Sequence, residues 1–142
     1  MIVDTTYLLP LAQIAVDTDL LATVAKKKTH VNLEDISVSL ISLFELQAKA
    51  AKLKIPAKST IRAVDAILTG FRIIPFYESE VIEAAQKIRK TIPDYVDCII
   101  LATALATKQE VVTQDSLVLQ KKNKLLEEYN LRVLSFSDLV ET

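Results

Sequence analysis

Short apolar runs recur along the chain, and amphipathic stretches separate them. Ile2-Val3 is the first run and ends at Asp4. Ile36-Ser37-Val38-Ser39-Leu40-Ile41 alternates and then turns apolar, so it reads as a second strand. Phe71 to Phe76, with Pro75 near its end, predicts a third. Glu110 to Thr113 and Leu131 to Leu134 predict two more. The stretches between have helical spacing. Tyr7 to about Ala15 reads as a helix that tolerates Pro10 in its first turn. Asp17-Thr18-Asp19 caps a helix from Leu20 to Lys28, and Lys26-Lys27-Lys28 suits its negative pole. A helix from Ser42 to about Lys54 ends before Pro56, and Lys58 to Leu68 forms another, stopped by Gly70. Glu78 to Lys90 places Val81, Ile82, Ala85 and Ile88 on one side. Tyr95 to Thr107 is helical, as is Leu117 to Lys122, continuing through Glu128, and Ser137 caps a short terminal helix. Strands alternating with helices argue for an α/β fold around a mostly parallel sheet of four to five short strands. No repeat, low-complexity tract or linker divides residues 1–142, which read as a single domain.

One helix departs from the amphipathic pattern. From Val96 to Ala106 it is apolar on nearly every side, apart from Asp97 and Thr103. A helix hydrophobic all round is usually buried, and a buried carboxylate needs a partner. Asp97 shares its face with Ile100, Leu101 and Ala104, none of which can pair with it. A basic side chain, backbone donors or a metal must hold it.

Composition narrows the chemistry. A net charge of −1 gives no global attraction to nucleic acid or acidic membranes, so any such partner must meet a local patch. One cysteine, Cys98, excludes an internal disulfide and a cysteine zinc site, and the lone His30 excludes a histidine-rich metal centre. A bound metal would be a hard cation held by carboxylate oxygens. The single glycine, Gly70, leaves no glycine-rich phosphate loop or dinucleotide fingerprint. Met1-Ile2-Val3-Asp4 lacks a basic leader region, and no apolar run has membrane-spanning length, so the chain reads as cytoplasmic with no membrane partner.

Asp4, Glu45 and Asp115 each sit at, or one turn beyond, the carboxyl end of an expected strand, and Asp97 lies in the first turn of the apolar helix. In open α/β sheets the ligand crevice lies outside those strand ends. Carboxylates gathered there repel and raise one another's pKa. A cation such as magnesium, which takes a few carboxylates and keeps several waters, would offset this. Each acid also has a local explanation. Ser42-x-x-Glu45 fits a capping box, and Glu45 can pair with Lys49. Asp94 can be an N-cap, with Asp97 favoured by the helix dipole. Asp115 can cap the helix at Leu117, and Asp4 can simply end a strand.

The set Met1-Ile2-Val3-Asp4-Thr5, Ser42-x-x-Glu45, Asp97-x-Ile99-Ile100-x-Ala102-Thr103-Ala104 and Thr113-x-Asp115 resembles the PIN domain, in particular the VapC-type ribonuclease toxins. Order and spacing fit across almost the whole chain. The resemblance implies a three-layer α/β/α fold whose acids bind Mg2+ or Mn2+ and hydrolyse RNA. By position, Asp4, Glu45, Asp97 and Asp115 match the family's acidic quartet as catalytic and metal-binding residues. Thr113 matches an accessory hydroxyl, and Asp94 is a further accessory candidate. The resemblance also implies an antitoxin partner and a homodimer. A non-toxin PIN nuclease of RNA processing and a PIN-like interaction module without activity are the alternatives.

RNA also needs positive charge, for which the candidates are Lys49, Lys52, Lys54, Lys58 and Arg62, and the cluster Lys121, Lys122 and Lys124. With no stacking-aromatic motif in the sequence, contacts are expected mainly to phosphates. A haloacid-dehalogenase-type phosphotransferase would want a second aspartate where Thr6 stands.

Overall fold

The computed structural model describes residues 1–140. Five strands form one parallel sheet: β1 (Ile2–Val3), β2 (Ser37–Ser39), β3 (Arg72–Ile74), β4 (Val111–Val112) and β5 (Val133–Leu134). Their order across the sheet is β3-β2-β1-β4-β5. The strands are short, but alternation along them still separates two cores. Val3, Val38 and Val112 face one core, with Tyr7, Leu20, Leu46 and Ile67. Ile2, Val111 and Val133 face the other, with Ile88, Cys98, Leu101 and Leu125. The first layer holds a 3-10 helix (Thr5–Ala12), α1 (Leu20–Ala25), α2 (Leu40–Lys52) and α3 (Ala57–Gly70). The opposite layer holds α4 (Ser79–Ile88), α5 (Tyr95–Ala106), α6 (Ser116–Gln120) and α7 (Lys122–Tyr129), and α8 (Phe136–Leu139) ends the described chain. The three-layer α/β/α arrangement matches the expectation. Among the described residues no helix is long and apolar enough to cross a membrane.

Element boundaries depart from the sequence reading where a local hydrogen bond decides them. The second strand stops at Ser39, because its Oγ accepts from Ile41 N at 3.4 Å and starts α2 two residues early. Ser42 is therefore inside α2, and the Ser42–Glu45 capping box does not form. The first helical segment begins at Thr5 as a 3-10 helix and closes at Gln13 in the left-handed region, φ 64°. Gly70 is the last residue of α3 rather than a left-handed cap, and Phe71 N donates to Ile67 O at 3.0 Å. The helix expected from Leu117 through Glu128 breaks at Lys121. The terminal helix is capped by Ser135 in a reciprocal box with Asp138, not by Ser137.

Small residues on one face of β2 set how α5 docks. Ser37 and Ser39 lie in register with Ile2 and Ile74 on the α5 side of the sheet. Having no bulk, they let α5 approach closely, and Thr103 Oγ1 reaches Ser39 Oγ at 3.5 Å while donating to Ile99 O at 2.7 Å. That seats the first turn of α5 over the carboxyl end of β1.

Candidate active site

The chain leaves β1 toward β2 on one side and leaves β4 toward β5 on the other. The crevice of an open α/β sheet lies at this reversal, outside the carboxyl ends of β1 and β4. Asp4 follows β1 directly, and alternation after Ile2 turns its side chain toward the α5 layer. Its Oδ1 accepts from Thr5 N at 2.7 Å and its Oδ2 from Thr113 Oγ1 at 2.6 Å, the latter from the end of β4. Thr113 Oγ1 in turn accepts from Asp115 N at 3.0 Å. Asp115 Oδ1 accepts from Val118 N at 3.0 Å and so caps α6. Across the crevice Thr5 Oγ1 donates to Ser42 Oγ at 2.9 Å, which ties the start of the 3-10 helix to the first turn of α2 one turn before Glu45. Asp94 Oδ1 accepts from Asp97 N at 3.1 Å and caps α5.

These elements enclose a pocket of about 350 Å3 lined by Asp4, Glu45, Asp94, Asp97 and Asp115, with Thr5, Thr6, Leu9, Gln114 and Lys49. The sequence-predicted acids therefore share one pocket. The local explanations hold as well: Asp4, Asp94 and Asp115 each cap a helix and line the pocket with the same side chain. Asp97 is partly exposed at the helix end rather than buried as the apolar pattern implies; the deeply buried acid is Asp4, 9% exposed.

Electrostatics reflect the crowding. Asp97 is pushed up to about 7, first by burial and then by the charges of Asp4, Asp94, Asp115 and Glu45. Burial raises Asp4 as well, against the opposing hydrogen bonds from Thr113 and Thr5. Glu45 is raised by burial, partly offset by the neighbouring Thr5 hydroxyl and then raised further by the charges of Asp4 and Asp94. The ion pairs among the described residues, Lys124–Glu128 and Arg132–Glu110, each at 3.9 Å, lie elsewhere. Oxygen donors of this kind suit a hard divalent cation, and one would relieve the repulsion. The acids surround the pocket but do not close on one point. Among the described residues no three His, Cys, Asp or Glu side chains are placed to grip a single ion. Uncompensated carboxylates repel, and Asp4 and Asp115 are turned to their backbone and threonine donors.

Of the expected RNA-contacting cations, Lys49 alone lines this pocket. Lys52, Lys54, Lys58 and Arg62 are exposed away from it, Lys122 borders a separate depression, and Lys124 pairs with Glu128. Thr6 and Gln114 carry no signal of their own as site residues in the sequence, and Thr5 stands there only as part of the early Asp-Thr. Ser42 does lie in the Ser-x-x-Glu motif, but its partner Thr5 is remote along the chain. A larger cleft between α2 and α3, about 400 Å3, is lined by Ala51, Ile55, Ile61 and Val64 with Asp65 as its only acid, so it offers no comparable chemistry.

The Thr113–Asp4 bond supplies a stability prediction. Thr113→Val keeps the shape but removes the short bond to a buried carboxylate and the acceptor for Asp115 N. It should destabilise the metal-free protein by about 1–3 kcal/mol, read as a lower urea midpoint at neutral pH with an unchanged slope. An unchanged midpoint would show that the bond is energetically idle.

Comparison with known proteins agrees with this geometry. The family model of the PIN domain matches residues 1–125. No curated protein matches the chain. Among solved structures, a chain of the toxin–antitoxin complex from Klebsiella pneumoniae is similar at 25% identity and TM-score 0.59, over 81% of this chain and 86% of that one. A chain of FitAcB from Neisseria gonorrhoeae is similar at 22% identity and TM-score 0.68, over 96% and 99%. A chain of VapBC2 from Rickettsia felis, bound to a DNA fragment from its promoter, is similar at 22% identity and TM-score 0.63, over 94% and 96%. With the acid-lined crevice at the sheet's reversal point and a family match over most of its length, the chain belongs to the PIN domain family.

Proposed function

We propose that the chain is a Mg2+- or Mn2+-dependent ribonuclease that hydrolyses RNA phosphodiester bonds in the cytoplasm, as the toxin of a toxin–antitoxin pair. The observation that carries this reading is the gathering of Asp4, Glu45, Asp97 and Asp115 in one pocket at the strand ends, with no basic side chain salt-bridged to them among the described residues. The likeness to a chain of a toxin–antitoxin complex supports the toxin role and an antitoxin partner.

Asp4 and Asp97 would hold the cation directly, Asp115 would complete the site through a water, and Glu45 would face the attacking water. A bound divalent cation neutralises charge on the phosphate and lowers the pKa of water. Glu45 would orient the water and accept its proton; burial raises its pKa and so makes its carboxylate a stronger base. Thr113 and Thr5 hold both oxygens of Asp4, so that carboxylate enters the reaction already oriented. Asp94 fixes the first turn of α5 and thereby the position of Asp97. Lys49 is the cation placed to meet a substrate phosphate.

The discriminating experiment is cleavage of single-stranded RNA in Mg2+ or Mn2+ and in EDTA. Cleavage is expected with either metal and absent in EDTA. The spread of the acids around the pocket is what an inactive interaction module would also show. No cleavage of any RNA tested, with no heat of metal binding, would establish that module instead. A homodimer belongs to the same proposal and is read from the solution mass.

A further inference from the structure

Gln114 stands on the rim of the acidic pocket, between Thr113, which donates to Asp4 at 2.6 Å, and Asp115. Its amide is tied at one end. Thr18 Oγ1, from the segment between the 3-10 helix and α1, donates to Gln114 Oε1 at 3.2 Å. Thr18 does not line the pocket, so the oxygen is turned to the pocket's flank and the NH2 group is left as the amide's free end. That nitrogen makes no hydrogen bond among the described residues. Behind Thr18 lies a second orphan. Tyr7 is 1% exposed, and its hydroxyl is buried without a hydrogen-bond partner. The polar groups that face it are the Thr18 hydroxyl and Asp4. Both Asp4 oxygens are already engaged, by Thr5 N and Thr113 Oγ1. A buried hydroxyl needs an acceptor, and burial pushes this phenol up to about 12, so it keeps its proton. Thr18 Oγ1 is the acceptor that remains. Accepting there commits the Thr18 proton to Gln114 Oε1, which gives the series Tyr7 to Thr18 to Gln114 one direction. The field of the five acids acts the same way, favouring the positive end of the amide dipole on the pocket side.

We infer that Gln114 is a substrate-contacting residue: its amide NH2, held by Thr18 and Tyr7, donates to a non-bridging oxygen of the phosphate that the acidic pocket receives. The inference deepens the ribonuclease reading above and rests on it. The pocket's lining is rich in acceptors and poor in donors. Five acids repel a phosphate, and Lys49 is the one cation among the lining residues. A neutral donor contacts an anion without forming the ion pair with those acids that a second lysine would form. Position selects the phosphate rather than a base. Gln114 is flanked by Thr113, which orients Asp4, and by Asp115, so a phosphate drawn to a cation among these acids lies against the same rim. Thr18 and Tyr7 are positioning residues: they touch no substrate and act by holding the amide's orientation. A free glutamine side chain loses rotamer freedom on binding, and a tied one has lost part of it already.

The test is steady-state cleavage of a fluorescent single-stranded RNA by the full chain in saturating Mg2+. Gln114→Ala should raise KM by about 10-fold with kcat kept. Gln114→Glu keeps an acceptor for Thr18 but presents an anion to the phosphate, so it should raise KM further. If the amide served the fold alone, the order would reverse and Gln114→Glu would match wild type. A fall in kcat with KM unchanged would also overturn the contact. Gln114→Ala should leave the dependence of KM on salt as it is, because a neutral donor releases no counterion, whereas Lys49→Met should lower that slope by about 0.7. The Gln114→Ala loss should be the same on every RNA that the wild type cuts. A loss confined to one base beside the cut would make Gln114 a base reader and overturn the phosphate contact. Tyr7→Phe should raise KM by less, without lowering the melting temperature, since the hydroxyl it removes has no bond to lose. A lowered melting temperature with an unchanged KM would confine Tyr7 to the fold and overturn the series. If the wild type cuts RNA and both Gln114 variants share its KM, the contact falls and the nuclease stands. If the unsubstituted chain cuts no RNA, both fall.

Discussion

Asp97→Asn should lower metal-dependent RNA cleavage by roughly 10³-fold or more, while raising the melting temperature of the metal-free protein. The two effects have one cause. Asp97 stands among Asp4, Asp94, Asp115 and Glu45, and their charges add to partial burial in lifting its pKa to about 7. At pH 8 its negative charge is a liability to the empty fold. The full shift overstates the gain, because Asp97 is partly exposed and solvent screens it. After that discount, removing the charge should stabilise the metal-free protein by about 1–2 kcal/mol at pH 8, a shift of a few degrees. The same charge is what a cation needs, and several kcal/mol of stabilisation of the developing phosphate charge go with it. Asparagine keeps the size and the helix position, so lost activity would not reflect a collapsed pocket. Activity equal to wild type would remove Asp97 from the site. A melting temperature lowered at pH 8 would show that Asp97 contributes to the fold through some contact other than repulsion.

Opposing effects of this kind explain how much of the molecule is legible in its sequence. Apolar runs broken by polar spacing carry the strand and helix order, because burial dictates both. The acids stand out because each follows an apolar run at a place where only function or capping calls for charge. Capping and pocket-lining are the same act for Asp4, Asp94 and Asp115. What local pattern does not carry is any choice between equivalent neighbours. Ser39 and Ser42 are both good helix starters, and only the seating of β2 beside β1 leaves Ser42 free to meet Thr5. Lys49 and Lys52 look alike in sequence, yet one faces the acids and the other does not. The apolar helix makes Asp97 look buried, although a first-turn residue sits at that helix's open end.

Metal-free protein should be more stable at pH 5 than at pH 8, and Mg2+ or Mn2+ should reverse the order. Asp97 titrates near 7 in the folded chain and near 3.8 when unfolded. Between those values the folded state binds more protons than the unfolded state. Stability must then fall as pH rises through that window. Asp4 and Glu45, also raised, add to the same slope. A divalent cation requires the deprotonated carboxylates, so its binding releases protons and strengthens as pH passes about 7. At a thousand times its dissociation constant it returns about 4.1 kcal/mol, more than the about 1–2 kcal/mol that the Asp97 charge costs the metal-free fold. Thermal melts from pH 5 to pH 8, with EDTA and with each metal, read both slopes. Asp97→Asn should flatten the metal-free slope and weaken the metal's effect. A metal-free stability that rises toward pH 8 would mean that the acids are already compensated within the fold, and the case for a cation among them would lose its electrostatic basis.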